Sequence, residues 1–407
     1  MNKNRSNEVK EIIPYLLHWY DYNRRILPWR EDPTPYHVWV SEIMLQQTRV
    51  EAVRGYYDRF LASLPDVKAL AEAGEEVLLK LWEGLGYYNR VRNMQKAAQI
   101  LVEKYDGEMP ADYDTIRSLP GIGEYTAGAI SSIAFGLAYP AVDGNVLRVL
   151  SRITGSEEDI AKDKTKQAVR EDLLGIMPER SGDFNQSLME LGATVCLPNG
   201  KPLCDQCPVM HLCKAFHEGR ETELPVKSGK KERRIEKRTV YLISYGDKIL
   251  LHRREKKGLL AGLWEFPNAL ISLTAEQGEE QEAQCARLRK ELQATLQSEI
   301  KVTVTKGKKA KHIFSHIEWH MEGICINVDQ DRTEESERDL QGAHAETQDA
   351  LPERLKQMAE RLTGKKKHPE DAVFATIAEL REKYAVPSAF EVYVKEVGGY
   401  YENRNGI

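Results

Sequence analysis

Four of the chain's six cysteines, Cys196, Cys204, Cys207 and Cys213, fall close together in the pattern C-x7-C-x2-C-x5-C. Four soft thiolates in one loop can close on a tetrahedral metal or on an iron–sulfur cluster, because both take four sulfur ligands. On spacing alone zinc is the plainer reading, since Cys-x2-Cys is its common half-site. An evenly spread disulfide framework would look different, and such clustering in an intracellular chain reads as metal ligation. Cys285 and Cys325 stand apart.

Two carboxylates have contrasting settings. In V-W-V-S-E-I-M-L-Q-Q-T, residues 38–48, Glu42 sits at helical spacing from Val38 and Leu45. A buried Glu loses solvation of its charged form and can hold a proton near neutral pH. In A-V-D-G-N-V, Asp143 precedes an apolar helical pattern of Val146, Val149, Leu150 and Ile153. Asp is a favoured helix N-cap, and N–H groups at a helix start favour its ionised form. One protonated Glu and one ionised Asp are what acid-assisted cleavage of a glycosidic bond needs. Taken alone, Glu42 reads more plainly as a solvated acid or a partner of Arg49, and Asp143 as a cap.

L-P-G-I-G-E-Y-T-A occupies residues 119–127. Gly121 and Gly123 permit a tight hairpin with N–H groups facing outward, and the next helix begins at the same place with its positive dipole end. Together they make a phosphate seat that needs no basic side chain. An ordinary inter-helix turn is the plain alternative.

These residues need elements to hold them. Residues up to about 215 read as nearly all helical, with apolar residues at helical spacing (Trp39, Ile43, Val50; Leu78, Leu81, Trp82) and short Gly or Pro loops. Residues 227–238 carry seven bases and two acids and read as a solvated linker. Strand patterns at 239–245 and 248–254 flank Gly246 and Asp247, a hairpin signature. A helix near 282–297 and strands at 301–305 and 312–328 follow. Residues 329–371 are acidic and almost free of aromatics, an insertion expected to be partly disordered, with one helix through Leu351, Leu355, Met358 and Leu362. The expected domains are 1–217, a linker at 218–237, 238–397 including the insertion, and a tail at 398–407.

At 407 residues the chain has room for two or three domains of roughly 150 residues. Apolar residues are 41% and charged residues 30%, which excludes a disordered or fibrous profile. The longest uncharged run, 125–142, contains Gly, Ser, Thr and Pro and reads as a core helix and its exit. No membrane association is expected, the N-terminus lacks a signal-peptide layout, and a cytoplasmic monomer is expected. The net charge of −5 does not announce a nucleic-acid binder. Residues 1–228 hold 27 bases against 33 acids, a net of −6. Arg24, Arg25, Arg30, Arg90, Arg92, Arg148 and the lysines of 306–311 are candidates to line a basic face.

Taken in order and spacing, V-S-E-I-M-L-Q-Q-T, G-L-G-Y-Y-N-R-V-R-N, L-P-G-I-G-E-Y-T-A, A-V-D-G-N-V and the four-cysteine loop resemble the helix–hairpin–helix DNA glycosylases, and within them the MutY-type adenine glycosylase family. The likeness is dense over about 14–217 and looser over about 238–397. It implies an all-helical helix–hairpin–helix domain with an iron–sulfur loop, followed by a MutT-like (Nudix-like) α+β domain. It implies hydrolytic removal of adenine mispaired with 8-oxoguanine or guanine in double-stranded DNA, by a monofunctional enzyme that flips the base from the stack. Glu42 matches the family's catalytic acid and Asp143 the carboxylate that stabilises the oxocarbenium-like sugar. Tyr125 and Asn145 match supporting polar residues. Gln47 resembles the residue that fills the emptied stack, Thr48 a contact to the opposing guanine, and Tyr87 the wedge beside it. The resemblance replaces zinc with a [4Fe–4S] cluster on Cys196, Cys204, Cys207 and Cys213, although the first spacing is seven residues where the family has six. Phe314, Ser315 and His316 match the loop that senses the oxidised guanine. A Nudix hydrolase needs several acids on one helix. Here only Glu291 remains in R-L-R-K-E-L-Q-A-T, so pyrophosphatase activity is not expected.

Three other readings are weighed. An endonuclease III-like lyase needs a Schiff-base amine, and its lysine would stand at Tyr125. A non-catalytic DNA-binding module would not need Glu42 and Asp143 in full motifs. A nucleotide hydrolase lacks its acids.

Overall fold

The computed structural model describes residues 3–229, 232–271, 281–296, 300–330 and 345–404. They divide into two compact units, Met1–Gly74 with Asn89–Lys230, and Glu75–Tyr88 with Lys231–Ile407. The expected continuous first domain therefore surrenders an internal segment, Glu75–Tyr88, to the second unit.

The first unit is helical. The Pro35–Leu45 helix starts where Thr34 accepts a hydrogen bond from the His37 N–H and Pro35 presets the first turn. Eight of its residues, Glu42 among them, are buried, because it packs on the Glu124–Phe135 helix. That helix packs in turn on Ser181–Thr194, which also meets Lys3–Asn23 and Gly144–Thr154. Ile12, Leu16, Val149, Leu150, Phe184 and Leu188 fill the space among the last three.

One close approach fixes the register of this packing. A Cβ on Gly128 would lie 2.2 Å from the Pro140 carbonyl oxygen, so the Glu124–Phe135 helix rests directly on the backbone leading to Asp143. Asn185, fully buried, clamps the same strip, accepting from the Ala141 N–H at 3.0 Å and donating to the Tyr139 carbonyl at 2.9 Å.

The second unit holds a mixed seven-stranded sheet: β1 (Arg234–Tyr245), β2 (Lys248–Arg253), β3 (Trp264–Glu265), β4 (Asn268–Leu270), β5 (Ile300–Ile313), β6 (Ile317–Gln330) and β7 (Ala372–Thr376). The order is β3-β2-β1-β6-β5, with β4 on β1 and β7 on β2, and β1 runs parallel to β6. Both faces are covered, which is why β1 reads as a continuous apolar run. Val240, Leu242, Trp319 and Met321 face Leu380, Phe390 and Tyr393. Tyr241, Ile243, Ile324 and Ile326 face Leu288, Leu292, Leu355 and Met358.

Several expectations change here. The basic linker ends early: residues 234–237 already belong to β1, where Glu236 pairs with Arg234 and Arg238 and accepts from the Trp319 indole. The stretch 312–328 is broken at 314–316, which forms the turn between β5 and β6. The lysines of 306–311 continue β5, and Lys306, Lys309 and Lys311 pair with Glu282, Glu322 and Glu318. The helix expected within the acidic insertion is present as Ala345–Thr363, and what changes is its place: it buries Leu351, Leu355 and Met358 in the core. Residues 331–344 of the insertion lie outside the described residues. Residues 398–404 of the expected tail continue the Glu391–Arg404 helix.

Candidate functional site

A cavity of about 480 Å³ in the helical unit gathers the two carboxylates. Glu42, Tyr125, Asp143 and Asn145 line it, with apolar wall from Leu27, Trp29, Val38, Ile133 and Met189. Glu42 enters from the middle of its helix and is buried, so neither solvation nor a pairing with Arg49 describes it. Its side-chain partner is the Tyr125 hydroxyl, which donates to Oε2 at 2.5 Å from the first turn of the facing helix. Burial, foremost, pushes the Glu42 carboxyl up to about 7; Tyr125 and Arg30 pull against it and Asp143 adds to it. Tyr125 is itself held well above the ordinary phenol value by burial and the two acids.

Asp143 caps the Gly144–Thr154 helix. It accepts from the Val146 N–H at 2.8 Å and from the Asn145 amide at 2.8 Å. Burial raises its carboxyl too, against the expectation that the helix start alone would decide, while the Val146 and Asn145 donors oppose the rise. The two acids thus differ in kind. Glu42 is desolvated beside one hydroxyl, whereas Asp143 is desolvated inside a cradle of N–H donors that suits a negative charge. The pair offers a proton donor and an anionic stabiliser in one cavity.

Arg30 and Arg25 are wall residues, and neither is available to a phosphate. Glu190, 1% exposed at its side chain, accepts from Arg25 Nε at 2.7 Å and Arg30 Nη2 at 2.8 Å. Arg30 also donates to Gln186 at 3.1 Å. Arg148 is buried, bonded to Asn145 Oδ1 at 2.9 Å, the Gly192 carbonyl at 2.8 Å and the Cys196 carbonyl at 2.9 Å. Arg90 donates to the carbonyls of Ile43 and Gln46, both at 2.7 Å. The expected basic face loses these four because each satisfies buried acceptors. Gln186, Met189 and Glu190 went unnoticed in the sequence; their i, i+3, i+4 spacing on the Ser181–Thr194 helix was the available signal.

Gln47 and Thr48 stand at the cavity rim just past the helix end. Gln47 is exposed and held at φ +58°. In the hairpin, Gly121 has φ +79° and its α-carbon faces the Asn93 side chain, while Gly123 caps the Glu124–Phe135 helix. N–H groups in that first turn have no intrahelical acceptor, which is the arrangement a phosphate seat requires.

Cys196, Cys204, Cys207 and Cys213 line one small cavity among Val149, Ile153, Leu191 and Phe216. Burial pushes the Cys207 thiol up to about 12 and the Cys213 thiol up to about 11, with the neighbouring thiols adding. Arg152 donates to Cys196 Sγ at 3.2 Å. Among the described residues, no three His, Cys, Asp or Glu side chains are grouped to hold a single metal ion. The seven-residue spacer runs through an exposed turn at Gly200, φ +73°, and Leu203 N–H returns to the Val195 carbonyl at 3.0 Å.

The remaining expected residues lie in the second unit. Tyr87, 49% exposed, has φ +49°. Phe314 packs on Trp319, with ring centroids 4.8 Å apart, and Ser315 and His316 are exposed at the turn.

Comparison with known proteins gives two family matches: the HhH-GPD superfamily of base excision DNA repair proteins over residues 40–174, and the NUDIX domain over 239–396. The chain is 37% identical to an adenine DNA glycosylase of Mus musculus, over 80% of this chain and 72% of that one. It is 34% identical to an adenine DNA glycosylase of Schizosaccharomyces pombe, over 76% and 80%. A solved thermostable thymine-DNA glycosylase is 27% identical, covers 52% of this chain and 98% of its own, and has a TM-score of 0.47. No helix among the described residues is long and apolar enough to cross a membrane.

Proposed function

The chain belongs to the adenine DNA glycosylase family, with an HhH-GPD base excision repair domain and a Nudix-like domain, and we propose that its substrate is duplex DNA carrying adenine opposite 8-oxoguanine or guanine. The carrying observation is the buried Glu42 carboxyl, pushed to about 7, sharing a cavity with Asp143.

Reaching the bond requires the adenine to leave the stack and enter the cavity. Glu42 then gives its proton to the adenine ring, which makes the base a better leaving group. Tyr125 holds the carboxyl in place through its hydroxyl. As the N-glycosidic bond stretches, positive charge grows on the sugar, and Asp143 faces it with its charge already cradled by Val146 and Asn145. Water completes the hydrolysis, with Glu42 accepting its proton. Among the described residues no lysine lines the cavity, and Tyr125 stands where the resemblance places the lyase amine, which supports a monofunctional reaction.

On the DNA side, the N–H groups of the hairpin at Gly121 and Gly123 take a phosphate, Gln47 fills the vacated stack, and Thr48 and Tyr87 meet the opposing base. Phe314, Ser315 and His316 sense its oxidation. Cys196, Cys204, Cys207 and Cys213 would hold a [4Fe–4S] cluster; their shared cavity and soft donor set fit it. When bound, the cluster cross-links the 196–213 loop through thiolate bonds.

Single-turnover excision from duplexes with adenine opposite 8-oxoguanine, guanine or thymine tests the reading. The first two should release adenine and the third should not. Glu42→Gln should slow excision roughly a hundred- to ten-thousand-fold and leave duplex binding largely intact. Full activity in that variant would remove Glu42 from its role.

A further inference from the structure

Glu75–Tyr88 lies between helices of the catalytic unit in sequence yet groups with the second unit. Five side-chain ties account for this. Lys80 Nζ donates to the carbonyls of Leu380, at 3.3 Å in the last turn of the Ile377–Glu382 helix, and of Tyr384, at 3.1 Å just beyond it. A cation there meets carbonyls that the helix itself leaves without donors. Glu83 Oε1 accepts from the Val386 N–H at 2.6 Å, and its Oε2 pairs with Lys80 at 2.6 Å. Arg253 of β2 reaches Glu75 at 3.7 Å and Glu76 at 3.9 Å. Beyond these ties the segment turns sharply, with Gly84 at φ +96° and Gly86 at φ +69°, and presents Tyr87 in the left-handed region. The Trp82 indole, donating to the Gly86 carbonyl at 3.1 Å, braces that turn.

We propose that Lys80 and Glu83, assisted by Arg253, are positioning residues that make Tyr87 part of the unit carrying Phe314, Ser315 and His316. This rests on the mispair reading above and deepens it. Two contacts to the base opposite adenine, 227 positions apart in sequence, are set by one body rather than two. Preference for 8-oxoguanine over guanine then depends on the ties, whereas the bond-breaking groups do not.

The test uses the full chain with its cluster and compares wild type with Lys80→Ala, Glu83→Gln and Lys80→Arg. Glu83→Gln is nearly isosteric and keeps the fold. Single-turnover rates and dissociation constants are measured for adenine opposite 8-oxoguanine and opposite guanine. The ratio of the two should fall roughly tenfold in Lys80→Ala and Glu83→Gln, about the worth of a charge-assisted hydrogen bond. Excision opposite guanine should stay within about twofold, and Lys80→Arg should recover most of the ratio. Equal losses on both substrates, or an unchanged ratio, overturn the proposal. Amide hydrogen exchange over 81–88, without DNA, decides the tie even if the mispair reading fails. Exchange there should quicken in Lys80→Ala and Glu83→Gln, and unchanged exchange overturns the tie.

Discussion

Burial disfavours the charged form of Glu42 and pushes its carboxyl up to about 7, and this has two measurable consequences. On the proposed mechanism the reacting form is the protonated acid, so excision should fall about tenfold per pH unit above about 7, where Glu42 ionises. A flat rate from pH 6 to 9 would contradict the assignment. The same shift governs stability. An unfolded Glu releases its proton near its ordinary 4.5, the folded one near 7. Stability is therefore full below about 4.5 and declines until about 7, because the unfolded chain ionises first. Glu42→Gln has no charge to bury. It should melt higher than wild type at pH 8, by up to about 3 kcal/mol of stability, and match it near pH 4. A variant no more stable than wild type at pH 8 would show that the carboxylate is well accommodated. Asp143 was legible in the sequence, since capping is a local pattern. The Tyr125 partner of Glu42, 83 positions away, was legible only through the family resemblance, as no local rule joins them.

Elements bring these groups together through backbone contact rather than side-chain chemistry. Tyr125 rides on the Glu124–Phe135 helix, and Asp143 ends the strip that this helix touches at Gly128 and Pro140. A methyl at Gly128 has no room and must push helix and strip apart. Gly128→Ala should lose roughly 3 kcal/mol of stability, and excision should fall with it as Asp143 shifts from Tyr125. Thermal melting and single-turnover rates check both; a variant with wild-type melting and rate would mean that the strip yields. Helix patterns showed where Glu42 and Asp143 would sit, but not this contact, because a glycine inside a helix looks the same whether or not a backbone presses on it. The lysines of 306–311 misled for a related reason. Their charge concealed β5, whose Lys306, Lys309 and Lys311 pair with acids on the Gln281–Thr295 helix and β6.

At the scale of the whole molecule, net charge says little about how DNA is held. The first 228 residues carry −6, and several of their arginines are spent inside. Arg25 and Arg30 serve Glu190, Arg90 serves a helix end, and Arg148 and Arg152 serve the Cys196 region. On the proposed reading, the grip on phosphate falls to the hairpin N–H groups and a few remaining cations. Backbone donors release few condensed counterions, since they bring no charge of their own. The slope of log affinity against log salt scales with the number of phosphates neutralised, at about −0.9 for each. Full-length protein on an adenine:8-oxoguanine duplex should give a slope shallower than about −4, whereas a protein gripping eight phosphates by Lys and Arg would approach about −7. Titration from 50 to 300 mM salt, using Glu42→Gln to keep the duplex intact, measures it. A steep slope would mean that the lysines of β5 leave their carboxylate partners for DNA, and that the second unit supplies the electrostatic grip the first lacks.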